Sequence, residues 1–301
     1  MPKPLTKVST TPFLKTKSNR LNVNIQLYTV MAQKRSENTY QKIETIFKRD
    51  SSNIIMPYSG FVYPELEWLR NCKFDATEKI DGTNIRIEAK KTIISDENGI
   101  NSIRYDVSYR GKTDAATIPA PLLKFLESTY PEEKVLASLG IEKLITPEHF
   151  SEHRWMSADD APDMYTIYGE GYGKGIQKGG NYIKDGVGFI VFDVKVNDVY
   201  LLDANMKSIA EKLGAPVVPY MGQMTVDEAI EFVKKGFKST IAENKDYDAE
   251  GLVLKSPHGI RTRMGQRIIF KIKTCDFVKR RAKYGTDGPC DQPENELYNK
   301  K

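Results

Sequence analysis

The sequence predicts an α+β fold built on antiparallel sheets. Six segments of the 301-residue chain have the pattern of β-strands, and helical segments are scattered among them. A doubly wound parallel sheet needs a helix after nearly every strand, so the order of the elements argues against that fold. The chain is long enough for one large domain or two modest ones, each with its own hydrophobic core.

The clearest strand pattern lies at residues 83–90. Apolar residues from Ile85 to Ala89 alternate with charged residues from Arg86 to Lys90. This period of two predicts a half-buried strand with its charged face toward solvent. The other predicted strands are Tyr105–Arg110, Met164–Gly169, Gly188–Val196, Gly251–Lys255 and Arg267–Lys273.

Helix signals occur in five places. In the first helix, Tyr40, Ile43, Ile46 and Phe47 share one face. In the last, the run from Thr225 to Glu228 has the form of a capping box. The predicted helices are Tyr40–Arg49, Ala120–Tyr130, Pro131–Leu139, a helix capped by Asp203 that ends at Gly214, and a helix from Thr225 that stops near Gly236.

Charge divides the chain into three parts. Residues 1–50 hold ten Lys/Arg against three Asp/Glu, and residues 251–301 hold twelve against five, so the middle is acidic although the net charge is +5. Basic ends could grip a phosphate backbone while central carboxylates hold divalent metal, or the charges could simply form solvated faces. We predict a partly disordered basic extension at residues 1–38, one domain at 39–285 and a tail at 286–301.

Several classes of protein are excluded. No apolar run approaches the roughly 20 residues of a membrane span, and the N-terminal residues lack the apolar block of a secretory signal. We therefore expect a cytoplasmic protein without membrane contact.

Cys72, Cys275 and Cys290 have no C-x-x-C spacing, which argues against a zinc site or a disulfide framework. A Walker loop fails because Asp106 stands where its first glycine is needed, and no βαβ unit supports a dinucleotide fingerprint.

Lys79 lies in the run Glu-Lys-Ile-Asp-Gly-Thr-Asn, residues 78–84. A neutral lysine amine can attack the α-phosphorus of a nucleotide and hold the nucleotide as a phosphoramidate. Since an ordinary lysine is protonated at pH 7, neighbouring cations, divalent metal or desolvation must favour the neutral amine. The alternative is a solvated surface lysine in a three-letter motif that recurs by chance.

Three charged residues near the C-terminal end could serve such a lysine. Glu250 precedes an apolar strand, where its carboxylate can hold Mg²⁺ or its waters, although it could equally be a surface residue before a turn glycine. The period of a strand puts Lys271 and Lys273 on one face, where two ammonium groups suit a triphosphate. Lysines on a solvent-facing strand are also common.

Three more candidates lie in the middle of the chain. Arg110 could bind a phosphate with two parallel hydrogen bonds, and Glu170 at the end of a strand could bond a ribose hydroxyl. Phe192 could stack on a purine base, although an aromatic residue in an apolar run is commonly part of the core.

The order of these signals, from Lys79 to Lys273, resembles that in the covalent nucleotidyltransferase superfamily of polynucleotide ligases and capping enzymes. Within it, residues 40–280 resemble the ATP-dependent RNA ligases, particularly the phage class that seals nicked or double-stranded RNA. The resemblance implies an antiparallel-sheet nucleotidyltransferase (ATP-grasp-like ligase adenylation) domain, with ATP and Mg²⁺, or Mn²⁺ in its place, as cofactors.

The resemblance also implies roles for the candidate residues. Lys79 would become adenylated, Phe192 would stack on adenine, and Lys271 and Lys273 would contact phosphates. The implied catalytic residues are Lys79, Lys271, Lys273 and Arg110; the implied nucleotide-binding residues are Glu78, Lys79, Arg110, Glu170, Phe192, Glu250, Lys271 and Lys273; the implied metal ligands are Glu250 and Glu170.

Two departures leave alternatives open. Asp81 stands where the classical phage ligase has His, which is closer to the DNA ligase and capping pattern. Only 28 residues follow Lys273, so we expect no appended OB-fold. A capping-type guanylyltransferase, a DNA ligase and a binding module on an inactive transferase fold remain alternatives. We expect a monomer that binds nucleic acid through basic residues, namely Arg261, Arg263, Arg267, Lys279, Arg280 and Arg281.

Overall fold

Two β-sheets carry the fold of this computed structural model, which describes residues 38–177 and 182–285. The predicted tail, and all of the predicted basic extension except Asn38, lie outside the described residues. The described residues from Tyr40 onward belong to one compact unit. The predicted α+β class with antiparallel sheets is confirmed; among the sheet pairings of the described residues, one short parallel pairing is the exception.

The first sheet has five strands in the order β1-β11-β10-β2-β9. The edge strand β1 pairs in parallel with β11, and the other neighbours are antiparallel. Its strands are β1 (Glu44–Thr45), β2 (Phe74–Glu78), β9 (Tyr220–Met224), β10 (Gly251–Lys255) and β11 (Ile269–Lys273).

The second sheet has six antiparallel strands in the order β5-β4-β3-β6-β7-β8. Several of its strands are longer than predicted, because β3 pairs with β4 on one side and with β6 on the other. Its strands are β3 (Thr83–Ser95), β4 (Asn101–Arg110), β5 (Leu144–Ile145), β6 (Met164–Gly173), β7 (Val187–Val196) and β8 (Val199–Tyr200).

Four of the five predicted helices are confirmed. Gly214 and Gly236 end their helices, and Thr225 and Glu228 form the predicted capping box. Asp203 is the first helical residue rather than the cap, since Leu202 occupies the N-cap position. The helices are α1 (Glu65–Trp68), α2 (Ala120–Thr129), α3 (Glu132–Leu139), α4 (Asp203–Leu213), α5 (Val226–Lys235) and α6 (Thr274–Tyr284).

The predicted helix at Tyr40–Arg49 is wrong. This segment contains β1 and two isolated bridges, and its apolar residues diverge rather than share one helical face. Tyr40 packs against aromatic residues of the second sheet, whereas Ile46 and Phe47 are buried in the core of the first sheet. Pairing with the edge of β11 supplies backbone hydrogen bonds that the segment would otherwise have made as a helix.

Helices cover the outer face of each sheet. Apolar residues of β2, β10 and β11 pack with α5 and α6, and those of β3, β6 and β7 pack with α2 and α4. The other face of each sheet lines a shared cleft, because residues of both sheets line a single cavity. The predicted solvent-facing side of β3 is wrong at Arg86 and Glu88, which are 1% and 7% exposed. Arg86 donates to Glu88 and to Gly111 and Asp114, which follow β4.

Among the described residues, no helix is both long and apolar enough to cross a membrane.

Candidate active site

A cavity of about 340 Å³ lies between the two sheets. Thr77 and Lys255 line it from the first sheet, and Phe192 and Asp193 line it from the second. The alternation of β2 sends Phe74 and Ala76 into the core and leaves Thr77 on the cleft side. Lys79 follows the last residue of this strand, so it lies just beyond the cavity.

Lys79 makes two contacts with the start of β10. Its backbone N–H donates to the carbonyl of Gly251 at 2.8 Å, which continues the ladder past the end of β2. Its Nζ lies 2.6 Å from Oε2 of Glu250. Only 19% of the Lys79 side chain is exposed, so the amine is held in a partly desolvated ion pair.

Glu250 also binds a second lysine from the neighbouring strand. Its Oε1 lies 2.6 Å from Nζ of Lys273, because the ladder pairs Gly251 with Lys273. Burial lowers the pKa of Lys273, but the hydrogen bond and charge of Glu250 raise it overall. The predicted strand face shared by Lys271 and Lys273 is confirmed by the burial of Ile272 between them.

Lys271 has a different electrostatic environment. Burial lowers its pKa to about 8, and the positive charges of Lys79 and Lys273 act in the same direction. The charge of Glu250 opposes this shift. Three ammonium groups therefore lie around one carboxylate, which is an arrangement suited to several phosphate groups.

Glu170 reaches this group from the second sheet. Burial raises the pKa of its carboxyl to about 7, and the charges of Glu250 and Asp81 raise it further while that of Lys79 lowers it. Its strand β6 approaches Gly82 closely: a Cβ at Gly82 would lie 2.2 Å from the carbonyl oxygen of Gly171. The glycine of the Lys-x-Asp-Gly run is thus required by the contact between β3 and β6.

The oxygen atoms beside Lys79 fit a divalent cation. Glu170 and Glu250 supply carboxylates, and Asn84 pairs with Glu170 in the ladder. Asn84 Oδ1 is buried and accepts no hydrogen bond from the described part of the chain. No group of three or more His, Cys, Asp or Glu residues suited to a metal occurs among these residues. A cation here would therefore also need oxygen from water or substrate. No local sequence pattern indicated a role for Asn84, which only its register opposite Glu170 identifies.

Phe192 and Arg110 are carried by two other strands of the second sheet. Phe192 is the extra residue of a bulge in β7, since Gly169 pairs with Val191 and Tyr168 pairs with Asp193. It is half-buried in the cavity. Arg110 is exposed at the end of β4, opposite Arg86.

Glu78 is oriented away from Lys79. It is only 1% exposed, and its carboxylate accepts hydrogen bonds from Ser239 Oγ and from both the backbone N–H and the Oγ1 of Thr240. Glu78 therefore lies outside the group around Lys79, and its carboxylate is occupied by Ser239 and Thr240 rather than oriented for the nucleotide contact that the resemblance implies.

Two of the six predicted nucleic-acid contacts, Arg267 and Arg280, have side chains enclosed by the protein. Arg267 donates to Asp193 at 2.9 Å and stacks 3.4 Å from the ring centroid of Tyr200. Arg280 is 4% exposed and donates to the carbonyl of Ile55. Both side chains are held by these contacts, so their assignment to a nucleic-acid surface is wrong. The remaining four, Arg261, Arg263, Lys279 and Arg281, are exposed.

Comparison with known proteins gives a family match and structural similarity. The RNA ligase family model matches residues 73–273, more than half of the chain. The structure of Naegleria gruberi RNA ligase with PPi has a TM-score of 0.50 and 17% identity, covering 83% of this chain and 59% of that chain. The structure of a lysine-to-alanine mutant of that ligase with ATP and Mn has a TM-score of 0.49 and 16% identity. This match covers 81% of this chain and 58% of that chain. No curated protein sequence matches.

The chain spans less than two thirds of the length of these Naegleria chains. At such identity, the similarity to the first structure shows a shared fold.

Proposed function

The chain belongs to the RNA ligase family, and on this premise we propose that it is an ATP-dependent RNA ligase that works through a lysyl-adenylate on Lys79. The observation that carries the proposal is the convergence of Lys79, Lys273 and Glu250 within 2.6 Å contacts, with Lys271 and Glu170 beside them. A module without activity would have no need to bury these charges together.

The first step loads the enzyme. Lys79 loses its ammonium proton to solvent, and the nitrogen lone pair forms a bond to the α-phosphorus of ATP. The bond between that phosphorus and the bridging oxygen of pyrophosphate breaks, and pyrophosphate leaves. Lys271 and Lys273 would neutralise the charge that develops on the leaving group.

Two further transfers complete ligation. The 5′-phosphate of an RNA end attacks the adenylate phosphorus, which breaks the phosphorus–nitrogen bond and returns the electron pair to Lys79. The 3′-hydroxyl of the other end then attacks the activated 5′-phosphate, loses its proton and displaces AMP. Alignment and charge neutralisation would supply most of the acceleration.

The remaining site residues would bind the nucleotide. The cavity beside Phe192 has room for a base, and stacking on this ring would add roughly 1 to 3 kcal/mol. Arg110 is exposed and could reach a phosphate as the substrate closes the cleft. Glu250 and Glu170 would hold Mg²⁺ or Mn²⁺, which would screen the phosphate charges when bound.

Exposed basic residues would bind the RNA backbone. Arg261 lines the cavity, Arg263 lies in the turn that follows it, and Lys279 and Arg281 lie on α6. We propose that these residues hold nicked or double-stranded RNA, as in the phage class of RNA-repair ligases, and that a monomer does so in the cytoplasm.

Incubation with α-labelled ATP tests the first step. We expect label on the wild-type protein that withstands alkali and is released by acid, as a phosphoramidate requires, none on Lys79→Ala, and normal labelling of Lys90→Ala, which removes an exposed lysine on β3. Label that survives Lys79→Ala would contradict the proposal. Labelled GTP in a parallel sample separates this activity from that of a capping guanylyltransferase, which would be labelled by GTP instead.

Nicked duplexes with RNA or DNA on each side of the nick test the substrate. We expect efficient sealing only where the strand that supplies the 3′-hydroxyl is RNA. Equal sealing of an all-DNA nick would favour the DNA ligase alternative.

A further inference from the structure

A buried tyrosine contacts the backbone of the segment that carries Lys79. Tyr182 is 0% exposed, and its hydroxyl oxygen accepts a hydrogen bond from the backbone N–H of Asp81 at 2.9 Å. The ring packs against Tyr172 and Tyr247 and belongs to an apolar cluster that includes Ile80. Tyr182 and its cluster therefore hold both residues that follow Lys79, namely Ile80 by packing and Asp81 by a hydrogen bond.

The residue before Lys79 is held by a different part of the chain. Glu78 accepts the hydrogen bond of Ser239 Oγ and two from Thr240, at 2.9 Å from its N–H and 2.7 Å from its Oγ1. A carboxylate with three donors is a strong and oriented acceptor. Its position fixes the end of β2, from which Lys79 extends.

The two contacts meet in one short segment, residues 239–243. Ser239 Oγ accepts from the N–H of Ala242 at 3.3 Å, and Ala242 belongs to the same apolar cluster as Tyr182. The N–H of Glu243 donates to the carbonyl of Tyr182 at 2.9 Å. Residues 239–243 thus bind Glu78 directly and Asp81 through Tyr182, so one segment holds the chain on both sides of Lys79.

We propose that Tyr182 and residues 239–243 form a brace that positions Lys79 for attack on the α-phosphorus of the nucleotide, with Tyr182, Glu78 and Thr240 as positioning residues. This inference rests on the proposed function of Lys79. None of the three side chains is needed to touch the nucleotide. They act by restricting the backbone of residues 78–81, so that the amine approaches the phosphorus opposite the leaving pyrophosphate.

The brace would act on one step of the reaction only. Attack by the Lys79 amine depends on its alignment, and small misplacements of a reacting group reduce the rate strongly. Joining of an RNA whose 5′-phosphate is already adenylated needs no bond to Lys79. A loss confined to lysyl-adenylate formation therefore distinguishes positioning of the amine from a general loosening of the fold.

The experiment compares Tyr182→Phe with Tyr105→Phe. Both tyrosines are 0% exposed, and each makes one hydrogen bond with a backbone group, but Tyr105 donates to the carbonyl of Pro162 in another apolar cluster. We expect Tyr182→Phe to lower the rate of lysyl-adenylate formation about tenfold, with an unchanged KM for ATP. We expect Tyr105→Phe to lower thermal stability similarly while leaving that rate unchanged, and both variants to join pre-adenylated RNA at the wild-type rate.

Thr240→Val supplies a second test, which remains usable if Tyr182→Phe does not fold. Thr240 is exposed, and valine keeps its shape and its backbone N–H while removing the Oγ1 donor to Glu78. We expect a severalfold loss of lysyl-adenylate formation and normal joining of pre-adenylated RNA. In the double variant, the effects should be less than multiplicative, because both changes release the same segment.

Two results would overturn the brace while leaving the proposed function intact. One is a wild-type rate of lysyl-adenylate formation in Thr240→Val and in folded Tyr182→Phe. The other is an equal loss in adenylation and in joining of pre-adenylated RNA. Failure of the wild-type protein itself to form a lysyl-adenylate would instead contradict the proposed function.

Discussion

Burial shifts the pKa values of two cleft side chains in opposite directions. It raises the pKa of Glu170 to about 7 and lowers that of Lys271 to about 8. Both shifts favour the neutral forms, because the cleft removes these groups from water before any substrate phosphate or cation arrives. Binding of ATP phosphates would therefore favour the charged form of Lys271, and binding of a divalent cation would favour the charged form of Glu170.

The pH dependence of stability tests the environment of Glu170. An unfolded glutamate titrates near 4.5, so between about pH 4.5 and 7 the folded state binds more protons at this residue. Its contribution to the free energy of unfolding therefore falls as pH rises through that window. We expect Glu170→Gln to remove a loss of roughly 1 to 3 kcal/mol between pH 4.5 and 7.5, measured by urea denaturation.

The exposed residue Glu97 provides the control for this experiment. Glu97→Gln should show the wild-type dependence on pH, because its carboxyl remains in water. A Glu170→Gln curve parallel to that of the wild type would contradict the raised pKa.

At the level of elements, close approach between strands determines where glycine is required. Gly251 begins β10 with φ +149°, and a Cβ there would lie 2.0 Å from the carbonyl oxygen of Ile272 on β11. The same ladder aligns Lys273 with Gly251 and so brings Lys273 to Glu250. The backbone of this strand pair therefore sets the distances between the charged groups.

Gly251→Ala should separate β10 from β11. We expect it to lower the free energy of unfolding by about 3 kcal/mol or more, measured by denaturant titration, and to abolish lysyl-adenylate formation. Gly259→Ala is the matched control, because Gly259 also has positive φ, +61°, but a Cβ added there would meet no atom within 4 Å. Its cost should be only about 1 kcal/mol of backbone strain; equal effects of the two changes would exclude a clash as the cause.

At the level of the whole molecule, a buried polar cluster joins the two sheets beside the cavity. Asp193 of β7 accepts hydrogen bonds from Tyr40 at 2.8 Å and from Arg267 at 2.9 Å, and its carboxylate lies 3.4 Å from Nζ of Lys255. Lys255 also donates to the carbonyl of Phe192 at 2.6 Å. The cluster therefore fixes the width of the cleft next to Phe192.

Asp193→Asn should destabilise the fold strongly. It leaves Arg267 without its charged partner, although that side chain is only 14% exposed, so we expect a loss of about 3 to 5 kcal/mol in the free energy of unfolding. Asp227→Asn, in a pair with Arg70 that is about half exposed, should cost less than about 1 kcal/mol. Thermal and denaturant unfolding measure both, and equal losses would show that the cluster does not join the sheets.

Local sequence patterns predicted most of the elements and the main group around Lys79. The alternation of β3 and β11, the capping box at Thr225 and the glycines that end α4 and α5 depend on neighbours a few residues away. The order of charged motifs likewise indicated Lys79, Glu250 and Lys273, which the structure brings into contact. Such signals are readable from the chain because their physical causes are local.

Other features depend on which distant surface covers a residue. The alternating charges of β3 indicated solvent, but Arg86 is buried and donates to Gly111 and Asp114, which follow β4. The basic Arg267 indicated a surface, but Asp193 and Tyr200 enclose it. Thus the sequence by itself determined the fold class and the chemical groups of the cleft, through periodicity and residue type. Only the tertiary structure decided the strand at residues 44–45, the orientation of Glu78 and the enclosure of Arg267, because desolvation and hydrogen-bond partners come from residues far away in the chain.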